Sequence, residues 1–303
     1  MGLLYFLESI RVPGLNEFML AVTYLGDEIA FLVTALILFW CVDKRQGYYI
    51  LSVGFVGTIA NQFLKLWFRI PRPWVQDPNF TILEQAREAA TGYSFPSGHT
   101  QSGVGTFGGI AHTTKNKVIR ILSIVIAVLV PLSRMYIGVH TPLDVIVAAA
   151  IAVVLILVIQ PVIFRHNGKY IPWLLGIMTV LAVAYLCFVE LYPFPADVDA
   201  YNLAHGQQNA YTFLGALTGL LVVYLVDEKW LKFPTSAIWW AQLLKIVIGL
   251  GLVLLIKSGL KTPLNALFGE LTGRAVRYFL MVVMAGIIWP LSFKYFAKTK
   301  SKE

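Results

Sequence analysis

The chain has 303 residues, of which 58% are hydrophobic and only 13% are charged. This composition excludes an ordinary soluble domain, in which about a quarter of the residues carry a charge. The formal net charge is +8, but the basic residues lie in short connections between apolar runs, so no contiguous nucleic-acid surface is predicted. The composition therefore predicts an all-α integral membrane protein, a polytopic bundle of transmembrane helices.

Residues 1–27 precede the first long apolar run and are interrupted by Pro13 and Gly14. They are predicted to form one or two short helices at the membrane interface, and they lack the basic first region of a cleavable signal peptide. Nine apolar runs follow, each close to the ~20 residues that a helix needs to cross a bilayer. The predicted spans are 28–43, 47–68, 98–114, 117–137, 142–163, 171–191, 209–226, 238–257 and 275–296.

Two long connections separate these spans, at 69–97 and 192–208. In the first connection, the stretch TILEQAREAA at 81–90 is predicted to form a short helix because it is rich in helix-forming residues. We expect three segments along the chain. They are an N-terminal interfacial segment at 1–27, a transmembrane core at 28–191 and a C-terminal transmembrane extension at 192–303.

The distribution of Lys and Arg predicts the orientation. If the connection DKRQG at 43–47 is cytoplasmic and the sides alternate, thirteen Lys and Arg lie on the cytoplasmic side and nine on the opposite side. By the positive-inside rule the C-terminal tail, with Lys298, Lys300 and Lys302, is cytoplasmic. The connections that follow the second and fourth spans then lie at the outer face.

Polar residues cluster at the predicted outer ends of the spans. Lys65, Arg69 and Arg72 are spaced i, i+4 and i+7, so a helix continuing to about residue 70 would place at least the first two on one face. Charges in or near a membrane cost about 2.5–3.5 kcal/mol each unless they are paired or face water, so such a cluster marks a site. The other members of the cluster are Ser97, Gly98, His99, Ser133, Arg134, His140 and Asp144.

The cations in this cluster outnumber the carboxylates, which predicts an anionic ligand such as a phosphoryl group. Two histidines beside a phosphoryl group would divide its transfer between a nucleophile and a general acid. Asp144 lies one helical turn after His140, where its carboxylate would fix the imidazole tautomer. His140 is therefore the predicted nucleophile and His99 the predicted acid and base, and this chemistry demands no metal ion or other cofactor.

These residues form a pattern in three parts: K-x6-RP from Lys65 to Pro73, PSGH at 96–99 and SR-x5-H-x3-D from Ser133 to Asp144. The parts are separated by 22 and 33 residues, and together they resemble the signature of the type 2 phosphatidic acid phosphatase superfamily. The resemblance implies a six-span helical membrane phosphatase with a phosphohistidine intermediate. About three further C-terminal spans are a departure from that family's usual core.

The resemblance also implies a role for each signature position. Lys65, Arg72, Ser97, Gly98 and Arg134 would bind phosphate, His140 and His99 would be catalytic, and Asp144 would orient His140. Pro96 and Ser133 would support the site.

Individual residues allow other interpretations. Arg69 lies outside the pattern and is expected to be a membrane-edge anchor. Asp144 would also fit a capping box with Thr141, and Ser133 would also fit a hydrogen bond to its own helix. His112, His166 and His205 are expected to be interfacial rather than catalytic.

A site at span ends beside lipid predicts a membrane lipid phosphate as the partner of a cell-membrane enzyme whose active site faces outward. Phosphatidic acid, phosphatidylglycerol phosphate, a sphingoid phosphate and a polyprenyl diphosphate all fit. Two other functions stay open, a lipid phosphotransferase and a phospholipid transporter or flippase with a phosphate-binding site. The sequence also leaves the oligomeric state open, a homo-oligomer included.

Overall fold

The computed structural model describes residues 1–87 and 90–297, and within them all regular secondary structure is helical. The α-helices are α1 (Gly2–Ser9), α2 (Pro13–Tyr24), α3 (Glu28–Ile37), α4 (Lys44–Phe68), α5 (Pro73–Gln76), α6 (Gly98–Gly103), α7 (Gly109–Thr113), α8 (Lys117–Tyr136), α9 (Pro142–Phe164), α10 (Ile171–Leu191), α11 (Ala200–Val226), α12 (Trp239–Gly259), α13 (Lys261–Phe268), α14 (Glu270–Val283) and α15 (Phe293–Ala297). Wider π-type turns continue α3, α6, α11 and α14 at Leu38–Val42, Val104–Gly108, Asp227–Leu231 and Met284–Ile288. Short 3-10 turns lie at Glu84–Ala86, Arg165–Gly168 and Trp289–Ser292.

Seven helical stretches in the described chain are long and apolar enough to cross a membrane. They are Lys44–Gln76, Lys117–Tyr136, Pro142–Phe164, Ile171–Leu191, Ala200–Leu231, Trp239–Gly259 and Glu270–Ala297. An eighth span arises if Pro13–Tyr24 and Glu28–Val42, which are bent by 54° at their junction, are counted as one.

The prediction of nine spans is therefore corrected at two places. The predicted span 28–43 is the second half of the bent pair rather than a separate span. The predicted span 98–114 is a helical stretch that ends at Thr113, and at ~1.5 Å per residue it is about 24 Å long. This length falls short of the ~30 Å hydrocarbon core.

Two predictions for the long connections were wrong. Residues 81–83 have no regular secondary structure, and Glu84–Ala86 form a 3-10 turn. Tertiary hydrogen bonds occupy the main chain here: Glu8 accepts from Thr81 N, and Leu83 N donates to Ile137 O. Positions 88 and 89 of the predicted helix lie outside the described residues.

The second connection is shorter than predicted. α11 already begins at Ala200, because the side chain of Asp199 caps the helix by accepting a hydrogen bond from Asn202 N at 2.7 Å.

Contacts divide the chain into two compact units, and the first contains residues 1–32, 53–160 and 194–205. In this unit α2 and the stretch from α6 to α7 pack on α8. The close approach to α8 requires glycine at position 103, where a Cβ would lie 2.8 Å from a methyl group of Val130. Two apolar clusters hold α1 and the 69–97 connection: Leu4, Phe80, Ile82, Met135 and Val145 form one, and Ala86, Ala90, Tyr136, Ile137 and Val139 the other.

The second unit contains residues 33–52, 161–193 and 206 onward. Three of its buried or partly buried polar side chains are paired within the unit, which offsets the cost of burying them. Lys44 forms an ion pair with Asp227 at 2.7 Å, and Trp40 donates a hydrogen bond to Ala285 O at 2.8 Å. Lys245 is fully buried and donates to the carbonyl of Thr235 at 3.0 Å. The predicted segment boundaries at 27/28 and 191/192 stay a prediction.

Candidate active site

The first part of the sequence pattern lies at the end of α4. The helix ends at Phe68, one turn earlier than Arg72, because Arg69 adopts a left-handed conformation with φ of +51°. Arg69 donates to the carbonyl of Leu66 and does not line the cavity described below. Lys65, by contrast, lies on the last turn of α4 and donates to the carbonyl of Tyr93.

Arg72 follows this break and is 7% exposed. Its guanidinium donates to three main-chain carbonyls, those of Thr91, Gly92 and Val139, at 2.6 to 3.0 Å. Its Nη1 also lies 2.9 Å from Nε2 of His140. Arg72 thereby ties the connection before α6 to the nucleophile candidate predicted from the sequence.

The second part of the pattern forms the start of α6. Ser97 is the N-cap, and its hydroxyl accepts a weak hydrogen bond from Thr100 N at 3.4 Å. Its own main-chain N–H donates to the carbonyl of Asp144 at 3.1 Å. Ser97 is buried, whereas Gly98 and His99 on the first turn are half-buried and line the cavity.

The third part joins α8 to α9. Arg134 is 2% exposed and its Nη1 donates to Oγ1 of Thr23 at 2.6 Å. Ser133 donates to the carbonyl of Val130 in its own helix at 2.7 Å, so the alternative interpretation of this serine describes its contact. Gly138 has φ of +88°, a left-handed turn that favours glycine and that brings the chain round to His140.

Asp144 makes both of the contacts that the sequence suggested. Its Oδ2 accepts hydrogen bonds from Thr141 N at 2.8 Å and from the hydroxyl of Ser94 at 2.6 Å, and it lies 3.4 Å from Nδ1 of His140. Asp144 N in turn lies 3.3 Å from Oγ1 of Thr141, which completes a capping box at the start of α9. The carboxylate is thus fixed by two donors beside the imidazole.

One cavity of about 280 Å³ unites the pattern. Six pattern residues line it: Lys65, Arg72, Gly98, His99, Arg134 and His140. The cavity is not lined by Pro96, Ser97, Ser133 or Asp144. Any role of these four residues is exerted through the residues that do line it. Three cations and two imidazoles therefore face one space.

His140 is 1% exposed, and burial lowers the pKa of its imidazole, with Arg72, Arg134 and Lys65 adding to the effect. Because a guanidinium can only donate, the contact with Arg72 requires an unprotonated Nε2. The proton of the neutral ring then lies on Nδ1, toward Asp144. The arrangement can present a lone pair on Nε2 beside a guanidinium, a group that suits phosphate oxygens.

Several residues of this site were not predicted from the sequence. Ser94 holds Asp144, and Thr23 and Asp27 of the N-terminal segment reach Arg134 and the cavity. His205 was predicted to be interfacial, and it lines the cavity. No local pattern connects these positions with the signature, except that Ser94 lies two residues before Pro96.

Among residues 1–87 and 90–297, no group of three or more His, Cys, Asp and Glu side chains has the geometry to hold a metal ion.

Comparison with known families agrees with this geometry. The model of the PAP2 superfamily matches residues 45–168, which contain all three parts of the pattern. A second model, described as the transmembrane extension of PAP2 superfamily phosphatases, matches residues 211–301. The chain belongs to the PAP2 superfamily. The resemblance predicted from the motifs is confirmed, and the last three spans of the described chain correspond to a known extension of the PAP2 phosphatases.

Curated relatives of this PAP2 chain are lipid phosphatases by name. Phosphatidylglycerophosphatase B of Bacillus subtilis (strain 168) is 30% identical over 165 residues, which cover 50% of this chain and 76% of the relative. A probable sphingosine-1-phosphate phosphatase of Dictyostelium discoideum is 31% identical over 50% of this chain and 39% of the relative. An undecaprenyl-diphosphatase of Sulfolobus acidocaldarius is 34% identical over 45% of this chain and 65% of the relative. No solved structure matches the chain.

The protein is thus a multi-span membrane phosphatase of the PAP2 superfamily, a hydrolase of phosphoric esters.

Proposed function

We propose that this PAP2 phosphatase hydrolyses the phosphate of a membrane lipid at the outer face of the cell membrane, through a phosphohistidine intermediate on His140. The observation that carries the proposal is the convergence of Lys65, Arg72 and Arg134 with His140 and His99 on one cavity. The contact between His140 and Asp144 adds the carboxylate that a nucleophilic imidazole needs.

The first step is an in-line attack of His140 Nε2 on phosphorus. Arg72, whose Nη1 lies 2.9 Å from this nitrogen, would hold a phosphate oxygen beside the nucleophile, and Lys65 and Arg134 would bind the remaining charge. As the bond between phosphorus and the leaving oxygen breaks, His99 protonates that oxygen. Asp144 stabilises the positive charge that develops on His140.

The second step releases phosphate. His99, now neutral, accepts a proton from water while the water oxygen bonds to phosphorus and the phosphorus–nitrogen bond breaks. The electron pair returns to His140, and the imidazolium of His99 is restored.

The substrate is a lipid because the cavity lies at the ends of helices that are apolar enough to span a membrane. The named relatives act on phosphatidylglycerol phosphate, a sphingoid phosphate and undecaprenyl diphosphate. These three substrates differ in the lipid and share the phosphate, so the proposal names the class of lipid phosphates. The placement of the site at the outer face, with a cytoplasmic C-terminus, rests on the excess of Lys and Arg in the opposite connections.

The test is phosphate release by the purified protein across a panel of lipid phosphates in detergent. His140→Ala should abolish release from every substrate. In His99→Ala the rate of phosphate release should fall by about 10²- to 10⁴-fold with an alkyl leaving group, which is the range of general acid catalysis. The fall should be much smaller with p-nitrophenyl phosphate. His112→Ala is the control, because His112 is exposed and does not line the cavity.

Equal and mild losses in the His140 and His99 variants would contradict these roles. A product that carries the phosphate on an added alcohol instead of in solution would indicate a phosphotransferase. Lipid movement in vesicles without phosphate release would indicate a transporter.

A further inference from the structure

The corner between α2 and α3, residues 23–27, lies against the cavity although it precedes the part of the chain that the PAP2 model matches. Gly26 allows this close approach. A Cβ at this position would lie 2.7 Å from the carbonyl oxygen of His99 and 2.6 Å from a methyl group of Val130. The main chain of the corner therefore touches the main chain of the predicted acid and base.

Two side chains of the corner face the site. Oγ1 of Thr23 accepts the hydrogen bond from Arg134 Nη1 at 2.6 Å, and both residues are buried. Oδ2 of Asp27 lies 4.0 Å from Nε2 of His99. The other oxygen of Asp27 accepts a hydrogen bond from Ile29 N at 2.9 Å, which caps α3 and fixes the orientation of the carboxylate.

The charges around His99 give this carboxylate a function. A general acid must carry a proton, but burial of His99 and, after it, the cations of the phosphate site strongly disfavour a positive charge on this imidazole. A carboxylate at 4.0 Å favours it. The charged and titratable groups that line the cavity with His99 are Asp27, Glu28, Lys65, Arg72, Tyr93, Arg134, His140 and His205, and Asp144 lies behind His140.

We propose that Asp27 is a positioning residue that orients His99 and favours its protonated form for the first step, while Thr23 fixes the guanidinium of Arg134. The inference rests on the proposed function. In the first step the proton of the His99 imidazolium passes to the leaving oxygen, and in the second step water returns a proton to His99. Asp27 itself neither gains nor loses a proton.

The test replaces Asp27 by residues that keep the helix cap and remove the charge. Asp27→Asn and Asp27→Ser are both suitable, since Asn and Ser cap helices as well as Asp does. With an alkyl lipid phosphate we expect kcat/KM to fall by about tenfold or more, the change that corresponds to one pKa unit. With p-nitrophenyl phosphate, whose leaving group needs little protonation, we expect a much smaller loss.

The pH profile provides a second measurement. Removal of the carboxylate makes His99 lose its proton at lower pH, so the loss of activity at high pH should begin at lower pH than in the wild type. Asp27→Glu, which keeps the charge, should return the profile toward that of the wild type.

Asp43→Asn is the matched control. Asp43 caps α4 through the same contact, with Arg45 N donating to its Oδ1 at 2.7 Å, and it is exposed and does not line the cavity. The role of Asp27 would be overturned if the Asp27 and Asp43 substitutions had equal effects. It would also be overturned if the leaving-group dependence and the pH profile were unchanged in the Asp27 variants. A wild type that releases no phosphate from any lipid phosphate would overturn the proposed function itself, and this role with it.

Discussion

At the scale of single residues, the proposed chemistry depends on how the two nitrogens of His140 are occupied. Arg72 lies 2.9 Å from Nε2 and Asp144 lies 3.4 Å from Nδ1. The first contact requires an unprotonated Nε2, and the second favours the proton on Nδ1. The surrounding residues thus prepare the neutral tautomer that a nucleophile needs before any phosphate binds.

The neutral state of His140 predicts how the reaction depends on pH. Burial, strengthened by three cations, lowers the pKa of His140 below its usual value of 6.5. The nucleophile is active when neutral, and a lowered pKa keeps it neutral to more acidic pH. We therefore expect the loss of kcat/KM that protonation of His140 causes to lie below pH 6.5.

The measurement is kcat/KM for a soluble phosphate ester across an acidic to neutral pH series, in one detergent and at constant ionic strength. An acidic limb centred at or above pH 6.5 would show that His140 is not the group that must be neutral.

At the scale of secondary-structure elements, helix ends bring the site together. α4 ends at Phe68 and leaves Lys65 on its last turn, α6 begins beside His99, and α9 begins with a capping box around Asp144. Each end places one part of the sequence pattern at the cavity. The corner between α2 and α3 adds a further wall, and this wall depends on the small size of Gly26.

Gly26→Ala tests the packing of this corner. The new Cβ would meet the carbonyl of His99, which cannot rotate away as a flexible side chain could. Overpacking of this kind typically costs about 1–3 kcal/mol. We expect a lower midpoint of thermal unfolding in detergent and a loss of phosphate release.

Gly14→Ala is the matched control in the first turn of α2, where a Cβ would meet no atom within 4 Å. It should leave the unfolding midpoint unchanged or raise it, because Ala is favoured over Gly in a helix by up to ~1 kcal/mol. Similar losses in both variants would mean that the corner does not depend on close packing at Gly26.

At the scale of the whole molecule, the orientation in the membrane decides which side the cavity serves. With the alternation of the nine predicted spans, in which residues 98–114 cross the membrane, the positive-inside rule predicts an outer location for the connection 192–199 and a cytoplasmic location for the connection between α7 and α8. Part of the basic tail, with Lys298, Lys300 and Lys302, lies outside the described residues, so its placement rests on the sequence alone.

Single cysteines test this orientation. In a background of Cys41→Ser and Cys187→Ser, Asp197→Cys should react with a membrane-impermeant thiol reagent on intact cells, because Asp197 is exposed in the predicted outer connection. Lys115→Cys, exposed in the predicted cytoplasmic connection, should react only after the membrane is permeabilised. The reverse pattern would place the active site on the cytoplasmic side.

The sequence by itself determined the class of protein and the six pattern residues that line the cavity. It could do so because ionisable groups in a membrane chain are costly, so Lys65, Arg72, His99, Arg134 and His140 stand out against apolar surroundings. The capping box at Asp144 was also readable, because both partners lie within one turn.

Only the tertiary structure decided the rest. Thr23, Asp27, Ser94 and His205 reach the site through contacts with residues that are distant along the chain, and such contacts leave no local spacing to detect. The same reason explains the wrong helix at 81–90: Thr81 N donates to Glu8 and Leu83 N to Ile137 O, and these hydrogen bonds prevail over the local helix propensity. The N-terminal corner became part of the site because a glycine lets two main chains touch, and the neighbours of that glycine are known only once the chain is folded.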